Sequence, residues 1–193
     1  SSAVSTAPLP TEDEERFKAL KLGLHDYFNK TNHTQAVVGL SGGIDSALTA
    51  TIAVAALGAD AVTGVLMPSR YSSLGSIEDA EQLAANLGIA TTTLPIEHMH
   101  TAFERIIEEA RLTADGLASE NAQARLRGLL LMALANQQGA LLLATGNKSE
   151  LAVGYSTLYG DMAGAVSVIG DIYKTDVWSM STWMNENATA CGF

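Results

Sequence analysis

The sequence predicts an α/β fold: a doubly wound parallel sheet with helices on both faces. Three observations carry this. Short apolar runs of strand type alternate with longer helical patterns along the 193 residues. Most of those runs are apolar throughout rather than every second residue, as expected for strands covered on both sides. Composition adds the third, since 47% hydrophobic and 17% charged residues describe a globular chain with enough apolar surface for one well-cored domain.

Residues 1–10 are small, polar and Pro-containing and read as a tail or linker remnant, leaving 11–193 as the domain. Thr11 and Glu14 form a candidate capping box for a helix to about Asn29, with Phe17, Leu20, Leu24 and Phe28 on one face. "AVVGL" (36–40) is the first strand, and Gly42 and Gly43 separate it from a helix of small apolar residues ending at Leu57. "AVTGVLMP" (61–68) is the second strand. Ser76 and Asp79 suggest a further capping box before "IEDAEQLAANLG", and "IATTTLPI" is the third strand. The pattern in "HMHTAFERIIEEARL" predicts a helix with Phe103, Ile106 and Ile107 inward. A long helix over 119–138, a strand over 140–145 and a helix opened by "GNKSE" follow. The tract 154–174 holds four glycines and reads as loop, before a last helix from about Thr175 to Asn187 presenting Val177, Met180 and Met184. In such sheets ligands sit beyond the carboxyl ends of the strands, where segments 41–46 and 145–150 are expected to meet.

Charge and cysteine usage narrow the partners. A net charge of −10, with 11 Lys plus Arg and no basic block, argues against a nucleic-acid surface. Cys191 is the only cysteine, which suits a reducing, cytoplasmic compartment. The start lacks a basic and apolar leader, and both near-membrane-length apolar stretches, 47–67 and 128–145, are broken by polar residues and glycine, so no membrane partner is expected. The four N-x-S/T matches, at Asn29, Asn32, Asn147 and Asn187, read as chance. His98 and His100 alternate without a third ligand and suggest no metal site.

The chemistry concentrates in "SGGIDS" (41–46). Two glycines allow close backbone approach to a ligand, N–H groups at the following helix start favour an anion, and Ser41 and Ser46 add hydroxyls. Asp45 would repel phosphate unless a cation such as Mg²⁺ lies between them. The loop lacks the Lys of a Walker A motif and is not a G-x-G-x-x-G fingerprint. An isolated SGG is more often an ordinary strand-to-helix turn with a first-turn acid; following an apolar strand, "SGGIDS" points to nucleotide.

"SGGIDS" resembles the loop of the N-type ATP pyrophosphatases, the PP-loop family. With "MPSRYSS" (67–73), "ENAQARLRG" (120–128), "LATGNKSE" (143–150) and "GYSTLYGDMAG" (154–164) in this order, the chain resembles NAD⁺ synthetases, specifically the synthetase part of the glutamine-dependent type. That resemblance implies adenylation of deamido-NAD⁺ by ATP and amidation by ammonia to NAD⁺. It implies Asp45 and Glu150 as Mg²⁺ carboxylates and Lys174 as the lysine reaching the ATP phosphates. It also implies Leu40, Ser41, Gly42, Gly43, Ser46, Leu66, Arg70 and Thr145 around ATP. Asn121, Arg125, Glu150, Tyr155, Leu158 and Asp161 would bind deamido-NAD⁺. Read without the resemblance, Glu150 is a first-turn helix acid, Lys174 a solvated helix-start residue, Thr145 a strand-end cap and Arg70 a surface arginine. Asn121 and Arg125, four apart, share a helix face either way.

The family implies a homodimer or larger homo-oligomer, and helix 119–138 reads either as part of that interface or as internal core. The glutamine-dependent type further implies a glutaminase (amidohydrolase) domain in the full-length protein. The chain carries no such domain, ends at "NENATACGF" before the family's final segment, and differs at Ala165, Gly170 and Tyr173. Two other readings stay open: another PP-loop amidotransferase domain of GMP-synthetase type, and an inactive nucleotide-binding fragment.

Overall fold

The computed structural model describes residues 9–113 and 115–193; the expected tail therefore lies almost entirely outside the described residues. Helix α1 (Glu12–Thr31) begins at Thr11, whose hydroxyl accepts the Glu14 N–H. Only half of the expected box forms, because the Glu14 carboxylate pairs with Lys18 one turn on. Strand β1 (Ala36–Leu40), helix α2 (Ile44–Leu57), strand β2 (Val62–Leu66), helix α3 (Leu74–Leu87) and strand β3 (Ala90–Thr93) follow in alternation. Then come helices α4 (Glu97–Glu109) and α5 (Gly116–Gln138), strand β4 (Leu141–Ala144), helix α6 (Lys148–Val153), strand β5 (Val166–Ser167), and helices α7 (Lys174–Glu186) and α8 (Ala188–Cys191).

All pairings are parallel, in the order β3-β2-β1-β4-β5, with Ala36 opposite Val62 on one side and Leu141 on the other. The chain winds outward from β1 in one direction and then restarts at β4 in the other. Loops leaving β1 and β4 therefore lie side by side where the winding direction reverses and open a crevice there, the usual ligand position in such sheets.

Alternation along β1 divides the core. Ala36, Val38 and Leu40 pack with α1, α2 and α7, whereas Val37 joins Val65 and Leu142 beneath α5. The first face is the thicker, with Phe17, Phe28, Ile52, Val177 and Met180 at most 2% exposed. Polar threonines fill β3 because it is the sheet edge and three of its four residues are exposed. No helix among the described residues is long and apolar enough to cross a membrane.

Three expectations need correction. The cap of α3 is Ser73, whose hydroxyl accepts the Ser76 N–H at 3.1 Å, so Ser76 lies inside the helix. Extended backbone at Ser73 lets the helix start one turn earlier than a Ser76–Asp79 box would allow. Ile106 is 63% exposed; His100 takes the fully buried place on α4, against Tyr71 and Phe103. The tract 154–174 is not all loop, since Val166 and Ser167 add a short strand beside Leu143 and Ala144.

Candidate active site

Loop 41–46 turns tightly at the end of β1. Gly42 has φ +78°, and a Cβ there would lie 2.3 Å from the Ser76 carbonyl oxygen, so α3 approaches to a distance only glycine permits. Gly43 starts α2 in extended conformation, with its N–H donating to Ser41 Oγ at 3.2 Å. Ser46 closes the turn: its buried hydroxyl donates to the Gly43 carbonyl at 2.9 Å and accepts from the Ser41 N–H at 3.2 Å. The loop is thus braced by its own hydroxyls.

Across the crevice, the loop after β4 builds a complete capping box. Asn147 accepts the Glu150 N–H at 3.0 Å, and Glu150 Oε2 accepts the Asn147 N–H at 3.0 Å. Asn147 also donates from Nδ2 to Asp45 Oδ1 at 3.0 Å, linking the first turns of α6 and α2. Lys174 reaches in from α7 to pair with Asp45 Oδ2. Its backbone N–H donates to Ser149 Oγ at 3.0 Å, so the starts of α6 and α7 are tied together. Asp45, Glu150 and Lys174, scattered through the sequence, converge here.

Two cavities flank these groups. The larger, of about 360 Å³, is mostly apolar, with Leu40, Leu66, Ile77 and Leu131 in its wall. The smaller, of about 280 Å³, contains Asp45, Ser46, Glu150 and Tyr155. Ser41, Thr145 and Asp161 line both, so the two share a rim. Both chambers are mostly apolar with a few polar groups; Asp45 and Glu150 line only the smaller, which suits a charged group there and a base in the larger.

Asn121, Arg125, Leu158 and Asp161 are brought together in a neighbouring arrangement. Thr157, buried, donates its hydroxyl to Asn121 Oδ1 at 2.8 Å and its N–H to Asp161 Oδ1 at 2.6 Å. Arg125 Nε donates to the Leu158 carbonyl at 3.2 Å. Segment 155–161 can press onto α5 because Gly128 and Gly160 leave room; a Cβ on Gly128 would stand 2.6 Å from the Tyr159 carbonyl. Tyr155 and Leu158 remain mostly exposed above it.

Arg70 is placed elsewhere. It lines neither cavity; its guanidinium bonds Glu97, Thr101 and Glu104 at 2.7–3.1 Å on the outer side of α4. The Arg70 backbone N–H, and then its side chain, hold the Glu97 carboxyl below the ordinary carboxylate range.

Two residues of the site carried no signal that sequence reading used. Asn147 was visible only as an N-x-S match, and its side chain is 0% exposed with both ends bonded, which rules out glycosylation of this fold. Arg127 lines the larger cavity with no carboxylate partner among the described residues, donating to the Met67 carbonyl at 3.3 Å and Ser69 Oγ at 3.4 Å. Burial pulls its guanidinium below the ordinary arginine value. Its place two residues beyond Arg125 was the available clue, but the choice between them depends on which face of α5 meets the sheet.

Apart from the Met162 thioether, the side-chain donors around the smaller cavity are oxygens, which fits a hard divalent cation. Among the described residues no three His, Cys, Asp or Glu side chains gather into a metal-holding group. Two carboxylates with open space beside them match Mg²⁺, which takes one or two protein carboxylates and completes its shell from substrate phosphates and water.

The parallel sheet, the strand order and the braced glycine loop at the switch point define a nucleotide-binding α/β domain of the PP-loop, Rossmann-like class. Residues 16–189 match the family model described as NAD synthase. The chain is 53% identical over 179 residues to a glutamine-dependent NAD(+) synthetase of Thermotoga maritima, covering 92% of this chain and 31% of that protein. A Synechocystis protein of the same name is 53% identical over 185 residues, covering 95% and 33%. The solved glutamine-dependent NAD⁺ synthetase of Acinetobacter baumannii in complex with ADP superposes with a TM-score of 0.92 at 42% identity, covering 95% of this chain and 35% of that one. The chain belongs to the NAD synthase family, and spans about a third of the length of the curated relatives it matches.

Proposed function

We propose that this chain carries out the ATP-dependent amidation of deamido-NAD⁺ to NAD⁺, releasing AMP and pyrophosphate. The observation that carries the reading is the convergence of Ser41, Ser46, Asp45 and Glu150 on a cleft whose two chambers share Ser41, Thr145 and Asp161, with Lys174 paired to Asp45 behind it. Family membership and the relatives' names support the same activity.

In this reading the larger chamber takes adenine, and the triphosphate runs over the rim toward Asp45 and Glu150. An oxygen of the nicotinate carboxylate attacks the α-phosphorus, and the bond to pyrophosphate breaks. Ammonia then attacks the acyl carbon of the adenylate, a proton leaves the nitrogen, and AMP departs with the bonding pair. Two anions must meet in the first step, so neutralisation and alignment matter more than proton transfer. Mg²⁺, held by Asp45 and Glu150, would supply charge to the phosphate oxygens. Lys174, with three donors, can keep Asp45 and still offer an N–H to the departing pyrophosphate. The Gly43 end of α2 presents its first N–H groups to the same oxygens. Asp161, Asn121 and Arg125 order segment 155–161 against the dinucleotide.

Ammonia would come from a glutaminase domain of the full-length protein, as the names of the relatives suggest. Exposed Leu129 and Met132 on α5 support a homodimer, and a lone buried, unpaired cysteine supports a cytoplasmic setting.

The test is AMP release from ATP, Mg²⁺ and deamido-NAD⁺ as ammonia is raised. Ammonia-dependent release is expected; none above background at saturating ammonia overturns the reading for this chain. Stabilisation by XMP but not by deamido-NAD⁺ in a thermal-shift comparison would favour a GMP-synthetase-type acceptor instead. Glu150→Gln separates structure from chemistry, because glutamine also serves at this capping-box position while losing the charge. Its thermal midpoint is expected to stay put while the Mg²⁺ concentration for half-maximal rate rises at least about tenfold.

A further inference from the structure

We propose that Asn147 is a positioning residue that locks Asp45 and Glu150 into one frame for divalent-metal binding; this rests on the metal reading above. Its side chain is 0% exposed, so water does not compete for its bonds. One residue makes three bonds, two through its planar side-chain amide and one through its backbone. Its Oδ1 accepts the Glu150 N–H, its Nδ2 donates to Asp45 Oδ1, and its own backbone N–H binds Glu150 Oε2, each at 3.0 Å. The chemistry dictates the amide's orientation. A backbone N–H requires an oxygen opposite it and an ionised carboxylate requires an N–H, so only one of the two flips satisfies both neighbours.

Asp45 and Asn147 are 102 positions apart, on loops leaving β1 and β4. Without the bridge, the two acids belong to separate helix starts and are linked only through Lys174, whose ammonium pairs with Asp45 and whose backbone N–H bonds Ser149 Oγ. With it, one oxygen of each acid is engaged, Asp45 Oδ2 is shared with Lys174, and Glu150 Oε1 has no hydrogen bond among the described residues. Groups that hold metal-binding carboxylates from behind set the ligand geometry and usually matter nearly as much as the ligands.

Serine at 147 isolates the function. It is as good an N-cap as asparagine but too short to reach Asp45. Alanine removes the cap as well. The experiment measures Mn²⁺ binding by electron paramagnetic resonance, in the presence of a non-hydrolysable ATP analogue, for the parent chain, Asn147→Ser, Asn147→Ala and Asp45→Ala. Asn147→Ser is expected to keep the fold, with a midpoint lowered by less than in Asn147→Ala, and the parent's KM for deamido-NAD⁺ while binding Mn²⁺ roughly 10–100-fold more weakly. Asn147→Ala should show the same loss with a lowered midpoint. Parent-like Mn²⁺ affinity in Asn147→Ser overturns the positioning role and leaves the metal reading standing. Failure of the parent itself to bind Mn²⁺ overturns the metal reading and this proposal with it. A second measurement needs no metal: the Asn147 side-chain amide protons should exchange slowly in ¹⁵N spectra and lose that protection in Asp45→Ala. Fast exchange in the parent counts against the bridge.

Discussion

Asp45→Ala is expected to lower ammonia-dependent AMP release by on the order of 10³-fold, the scale seen when one preorganised electrostatic contact to a transition state is removed. Asp45 sits where three things meet: the first turn of α2, the Asn147 amide and the Lys174 ammonium. Its loss removes one of two metal carboxylates in the proposed mechanism and leaves Lys174 without the anion that aims it. The fold should survive. The Asp45 side chain is 19% exposed; a first-turn acid contributes about 0.3–1 kcal/mol to its helix, and leaving the buried Asn147 amide unpaired costs about 1–3 kcal/mol more. A cooperative melt with a modestly lowered midpoint beside abolished turnover is therefore the expected result. Calorimetry and an AMP assay on the same preparation check both halves. Retained turnover would show that phosphate neutralisation does not run through this acid.

Gly42→Ala should act in the opposite manner, on stability first. The position combines φ +78° with a virtual Cβ 2.3 Å from the Ser76 carbonyl oxygen. A left-handed L-residue costs roughly 1–2 kcal/mol, and the clash is with helix backbone, which does not yield as a flexible side chain would. A total loss of about 2–4 kcal/mol is expected, or about 5–15 °C in thermal midpoint for a chain of this size. Gly43→Ala is the control. Its φ is −89° and its nearest obstacle is the Ser41 hydroxyl at 3.2 Å, so the cost should be about 1 kcal/mol or less. Equal losses at the two glycines would mean that the close approach of α3 does not set the loop. ATP binding should weaken in Gly42→Ala, because shifting the turn displaces the N–H groups that follow it.

The contrast between those two neighbours illustrates what could be read in advance. "SGGIDS" after an apolar run marks a ligand loop, because a strand rarely ends in two glycines and an acid without reason. Which glycine is indispensable depends on Ser76, 34 positions away, whose helix starts earlier than the local pattern indicated. The same limit explains Arg70 and Arg127. Both are arginines near motif residues, and no local rule tells a cation committed to Glu97 and Glu104 from one left facing a cavity. Burial and partners are long-range properties.

Local physics was enough for the four longer strands and the main helices, but not for β5 or α8. Hydrophobic periodicity is written residue by residue, and a parallel sheet follows once apolar strands alternate with helices. Those same rules located Asp45, Glu150 and Lys174 at element starts but could not bring them to one point. That took the strand order β3-β2-β1-β4-β5, which sets the β1 and β4 loops on either side of one crevice. It also took a buried amide at 147 whose partners are a neighbour in sequence and an acid on a distant helix. Hydrogen bonds between remote loops leave no period and no composition bias in the chain, so they become visible only when packing has brought their ends within 3 Å.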